Sequence, residues 1–128
     1  MKILHQSDAP LEMLGDEPRR RYTTNHLRVV ITDIPAGHVE NEHRHDRLGE
    51  AIWVLAGEVE IWERDADGVT TETIGEGDLV VFSPGRFHNV ANRSTMPARM
   101  LTVKFAVPLD IETTDFADWR GYESDSAG

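Results

Sequence analysis

Short apolar runs alternate with turn residues along most of the chain, and no stretch sustains a helical hydrophobic period for long. The pattern predicts strands over 27–34, around His43 and His45, and over 50–55, 58–64, 69–74, 79–82, 88–92 and 99–107. The breaks between them carry turn chemistry: Pro35-Ala36-Gly37, Ala56-Gly57, Glu76-Gly77-Asp78 and Ser83-Pro84-Gly85, with Asp67-Gly68 reading as a hairpin tip. Eight antiparallel strands folded as two packed sheets make an all-β jelly-roll β-barrel. We expect a single domain over 1–128, with the barrel core over about 20–108 and short N- and C-terminal extensions.

Side-chain alternation assigns the faces. If Glu50 points inward, so do Ile52 and Val54, while Ala51, Trp53 and Leu55 face out; on the next strand Val59 and Ile61 point in and Trp62 out. An outer set containing Trp53 and Leu55 needs cover, which a second subunit or residues 1–25 would supply, and we expect a homodimer. Both tryptophans read as packing residues. Arg99 shares parity with Leu101, Val103 and Phe105, which places it at the barrel mouth to orient an anionic substrate, or else on the surface. The segment 109–128 is expected to be partly helical or disordered. There Thr114 or Asp115 caps a short helix that carries Phe116 and Trp119 on one face and docks on the outer sheet or covers the mouth.

Composition narrows the function classes. A formal charge of −10 argues against nucleic acid, and Arg19-Arg20-Arg21 is too short a basic run to offset it. No apolar stretch reaches membrane-span length, and the first residues lack a signal-peptide core, so we expect a soluble, cytoplasmic protein with no membrane partner. The absence of cysteine excludes disulfides, thiolate metal sites and a cysteine nucleophile.

The histidines carry the candidate chemistry. On an extended chain His43 and His45 project to one side about 7 Å apart. Glu50 follows on the next strand, and His88 lies in a second glycine-punctuated strand segment. Three imidazoles and one carboxylate suit one divalent transition metal, Fe, Mn, Ni, Co, Cu or Zn, and fit calcium or magnesium poorly. Zinc held by all four would be a closed site, whereas an octahedral ion keeps open positions for water, dioxygen or a chelating small-molecule substrate. His5, His26 and His38 lack such spacing and read as solvent-exposed. Glu63 is the one further acid with interior parity, and its place at a strand end favours the surface.

At these residues the chain resembles the cupins. Gly37, His43, His45, Glu50 and Gly57 match the first cupin motif; Gly77, Gly85, His88 and Asn92 match the second, with the proline displaced by one to Pro84. Pro84-Gly85 suits the centre of a type II turn, so the displacement leaves the ligands in place. The resemblance implies a cupin-like double-stranded β-helix with His43, His45, Glu50 and His88 as metal ligands and Asn92 as a ring-supporting or turn-holding residue. It also implies catalysis, first as a small metal-dependent dioxygenase acting on an enediol, diketone or phenol. The alternatives are a redox-neutral isomerase or decarboxylase of a sugar or small acid, in which Glu50 also assists proton transfer, and a non-catalytic binding protein.

Overall fold

The β-branched and aromatic runs form two antiparallel sheets in this computed structural model, which describes residues 1–25, 27–45, 48–82 and 84–106. After a 3-10 turn at Gln6–Asp8, the strands are β1 (Glu12–Leu14), β2 (Glu17–Thr23), β3 (Leu27–Ile34), β4 (Leu48–Ala56), β5 (Glu58–Asp65), β6 (Gly68–Gly75), β7 (Leu79–Phe82), β8 (Phe87–Ala91) and β9 (Ala98–Ala106). One sheet runs β1-β2-β3-β9-β4-β7 and the other β6-β5-β8. This is the expected jelly roll. The described residues contain no helix long and apolar enough to cross a membrane. The expected C-terminal helix, Phe116 and Trp119 lie outside the described residues, as does His26.

The facing sheets enclose an apolar core at one end, with Ile34, Val54, Val59, Phe82 and Met100 almost wholly buried. Ile52, Val54, Val59 and Ile61 point inward as alternation requires. Gly57 makes the tight β4–β5 turn with φ 82°, and a Cβ there would lie 2.9 Å from the Pro97 carbonyl oxygen. Only glycine fits both restrictions. The β5–β6 hairpin closes on the Asp65–Gly68 pair, so its tip is Ala66-Asp67, one residue earlier than Asp67-Gly68.

The structure refines the sequence reading at three points. The larger sheet begins at Glu12 and not near position 20, because β1 and β2 extend it beyond β3. Pro18 and the arginine run hide that strand from an apolar pattern: Arg20 donates to the Ala9 carbonyl at 2.8 Å and Arg21 pairs with Glu12 at 2.9 Å. Arg99 stands on the outer face, paired with Asp33 at 2.8 Å, and does not reach the barrel mouth. The parity of β9 is the reverse of that assumed, with Met100, Thr102 and Lys104 facing the interior. Finally, residues 1–25 leave the outer face of β4 and β7 open: Trp53, Leu79 and Val81 are 48%, 62% and 61% exposed. Trp62 is half-buried and donates to Glu42 at 3.1 Å.

Candidate metal centre

The two sheets and one connecting segment each contribute to the histidine cluster. Glu50 lies on β4 between Lys104 on β9 and Phe82 on β7, its register partners. His88 comes from β8 in the smaller sheet and stacks on Phe82, with ring centroids 4.3 Å apart. His43 and His45 come from the segment between β3 and β4. That segment is not a regular strand but a line of backbone contacts along β8. Asn92 N donates to His38 O at 2.8 Å, Glu40 N to Val90 O at 3.0 Å, and His43 and His88 exchange bonds of 3.1 and 2.8 Å. Gly85, whose φ of 80° suits the expected turn, donates its N–H to the His45 carbonyl at 2.8 Å.

One donor atom from each of His43, His45, Glu50 and His88 falls within 4.8 Å of the other three. Nε2 of His43 and of His45 each lie 4.0 Å from Glu50 Oε2, which His88 Nε2 also contacts. The His43 ring is oriented by Asn41, whose carbonyl accepts from Nδ1 at 2.8 Å and leaves the Nε2 lone pair to face the cluster. Nε2 of His45 and of His88 and Oε2 of Glu50 are buried without a hydrogen-bond partner. Orphaned polar atoms converging on one point are what a bound cation satisfies. These four residues could therefore hold a metal, and their donors suit a divalent transition ion.

The electrostatics agree with that use. Burial opposes the charge on Glu50, but His88, Lys104 and His43 outweigh it and hold the carboxyl below its usual range. Burial lowers His45, with Lys104 and the other two imidazoles adding to it against Glu50, so the ring favours its neutral, metal-binding form.

A cavity of about 490 Å³ opens beside His43, Glu50 and His88. Its walls include apolar Val30, Ile52, Val90 and Met100, together with Glu17, Arg19, His38, Glu40 and Lys104. None of these five polar residues was expected at the site. His38, assigned to solvent, lies with Nε2 3.4 Å from Glu17 Oε1, and Lys104 Nζ is 3.9 Å from Glu50 Oε1. Desolvation raises both Glu17 and Glu40 to about 7; Arg19 opposes the shift at Glu17, while Glu17 and Glu50 add to it at Glu40. Glu40 is held at the wall through its backbone, since its carbonyl accepts from Asn89 Nδ2 at 2.7 Å. Lys104 was legible in principle, because it shares the parity of buried Met100 and Thr102. His38 and Glu40 were not, because three residues from Glu40 to His43 run against two from Val90 to His88. The extra residue turns all three side chains to the same wall.

Asn92 and Glu63 serve elsewhere. Asn92 Nδ2 donates to Ile34 O at 3.0 Å and Met96 O at 2.8 Å, and its Oδ1 accepts from Ser94, so it holds the turn and not an imidazole. Glu63 faces Arg86 at 3.7 Å and is not part of the cavity wall.

Comparison with known proteins places the chain among relatives of this architecture. The cupin domain family model matches residues 30–104. A germin-like protein, subfamily 2 member 2, of Arabidopsis thaliana is 34% identical over 71 residues, which are 55% of this chain and 32% of that protein. The chain thus matches about a third of the length of that curated relative. Oxalate decarboxylase of Bacillus subtilis superposes with a TM-score of 0.70 at 22% identity, over 78% of this chain and 28% of that one. A Bacillus halodurans protein gives 0.64 at 24% identity over 70% of each chain, and the cupin domain of a Schizosaccharomyces pombe protein 0.66 at 13% over 79% and 68%. The structural likenesses establish the fold.

Two outcomes follow from the geometry. Replacing His45 or His88 by alanine should lower metal affinity by at least about tenfold, since loss of even a supporting partner costs that much; elemental analysis of untagged protein measures it, and full occupancy in both variants would show that the cluster is not the metal site. Glu17→Gln should change the pH dependence of stability. A carboxyl raised from 4.5 to about 7 keeps its proton in the folded chain after the unfolded chain has lost it, so wild-type stability falls across that window. Because glutamine does not titrate, the variant's Tm relative to wild type should climb from pH 4.5 to 7 and then level off. A flat difference would mean that Glu17 ionises as it does when unfolded.

Proposed function

The chain belongs to the cupin family, and on that footing we propose that it is a metal-dependent enzyme that moves a proton on a small chelating organic acid, as in decarboxylation or isomerisation. The observation that carries this reading is the set of titratable side chains lining the cavity beside the cluster: Glu40, Glu17, His38 and Lys104. An interior base distinguishes redox-neutral chemistry from metal-centred oxidation. Glu40 is that base here.

His43, His45, Glu50 and His88 hold the ion, which when bound supplies Lewis acidity toward a chelating carboxylate or carbonyl. Lys104 adds a positive charge beside Glu50 and attracts the anionic end of the substrate. Glu40, with its pKa raised to about 7, can serve in either protonation state near neutrality. As carboxylate it takes the proton from the hydroxyl-bearing carbon next to a carbonyl and returns it to the former carbonyl carbon, while the hydroxyl proton passes to the former carbonyl oxygen, which completes an isomerisation. As acid it gives a proton to the carbon that retains the electron pair when the C–C bond to departing carbon dioxide breaks. Each route balances without an external oxidant. Ile52, Val90 and Met100 keep the reacting end apolar.

The oxygenase reading is second, favoured by the three-imidazole, one-carboxylate donor set. Metal-replete protein incubated with small hydroxy and keto acids in deuterated water decides between them. Proton-transfer chemistry should give solvent deuterium on product carbon without oxygen uptake, and Glu40→Gln should cut turnover by about 10²–10⁴-fold with metal content unchanged. Oxygen consumption in step with turnover would establish the second reading.

The same proposal includes a second copy of the chain over Trp53, Leu79 and Val81, since a twofold contact needs only one self-complementary strip. Light scattering should give a dimer mass for wild type and a monomer mass for Trp53→Asp; a monomeric wild type would remove this part.

A further inference from the structure

The wall of the cavity formed by β2 and the His38 segment is built of polar groups that the fold does not use. Glu17 is 2% exposed, yet its Oε1 has no hydrogen bond, and His38 Nε2 stands 3.4 Å away. Arg19, two positions along β2, lines the same cavity and has a buried Nε without a partner. The β2 backbone bonds to β1 and β3, so these side chains are not needed to hold the strand. A buried, unsatisfied carboxyl is unfavourable unless something fills the space beside it.

The two ends of the cavity differ in what they accept. At the cluster, a divalent ion held by the four residues would, with Lys104, exceed the single charge of Glu50 and so favour a carboxylate. Across the cavity the Glu17 carboxyl supplies acceptor oxygens, Arg19 supplies donors, and the His38 imidazole supplies a ring nitrogen. Hydroxyl groups donate and accept, so they satisfy all three. A second carboxylate would meet two carboxyl groups, Glu17 and Glu40, and an alkyl tail would leave Glu17 unsatisfied.

We propose that Glu17, Arg19 and His38 form a second recognition site that takes the hydroxyl-bearing tail of a polyhydroxy monocarboxylic acid whose carboxylate faces the metal cluster. This rests on the reading that the substrate occupies this cavity and names its class. Glu17 and His38 are specificity residues, while the proton transfer stays with Glu40.

The test is calorimetric titration of full-length protein reconstituted with manganese(II), its metal content measured on the same sample, with trihydroxybutanoate, butanoate and succinate. Trihydroxybutanoate should bind about tenfold or more tightly than the other two. Glu17→Gln and, independently, His38→Gln should each remove most of that preference while metal content and butanoate affinity stay as in wild type. If Glu17→Gln does not fold, His38→Gln decides. Equal binding of the three acids, or a preference that survives the substitutions, overturns the proposal and leaves the cavity reading standing. No binding of any acid by metal-replete protein overturns both.

Discussion

A carboxylate removed almost entirely from water has to be neutralised by its surroundings, and Glu50, 5% exposed, imposes that requirement on every element around it. His88 approaches from the opposite sheet, His43 and His45 from the segment along β8, and Lys104 from the adjacent strand β9. Two sheets that meet through apolar side chains at one end are thus joined at the other by a polar cluster. Nε2 of His45, both ring nitrogens of His88 and Glu50 Oε2 are buried there without hydrogen bonds. These are the atoms that a metal ion held by the four residues would satisfy.

The clustering of the candidate ligands was legible because much of their spacing is local: His43 and His45 lie one residue apart and Glu50 follows at the start of the next strand. The strands were legible where one face is apolar, as on β4 and β5. Legibility failed wherever the interior is not apolar. On β9, Leu101, Val103 and Phe105 looked like a core stripe, yet Met100, Thr102 and Lys104 face inward, because a cavity is lined partly by polar groups. Of the two places the sequence left open for Arg99, the structure takes the surface. β2 was missed because Pro18 and three arginines offer no alternation, although Arg19 contributes directly to the cavity.

The site divides its tasks between elements. The cluster sits where paired backbone bonds between His43 and His88 join the connecting segment to β8. The remaining polar groups sit on β2 and on the segment around His38 and Glu40, farther along the cavity. Asn92 belongs to neither set; it ties the turn at Ser94–Met96 to Ile34 and so fixes the end of the strand on which His88 lies. The candidate metal ligands and the groups proposed to recognise a ligand consequently lie in separate parts of the chain.

The three-against-two register between Glu40–His43 and Val90–His88 bears on how relatives of this fold are compared. Segment length between the acid and the first histidine determines whether the two face one chamber, independently of which residues are present. Two chains with every ligand and both carboxyls in common can therefore differ in chemistry if one lacks that single spacer. Conversely, a one-residue insertion in a loop of this kind recruits a new side chain to an old metal site without altering any ligand.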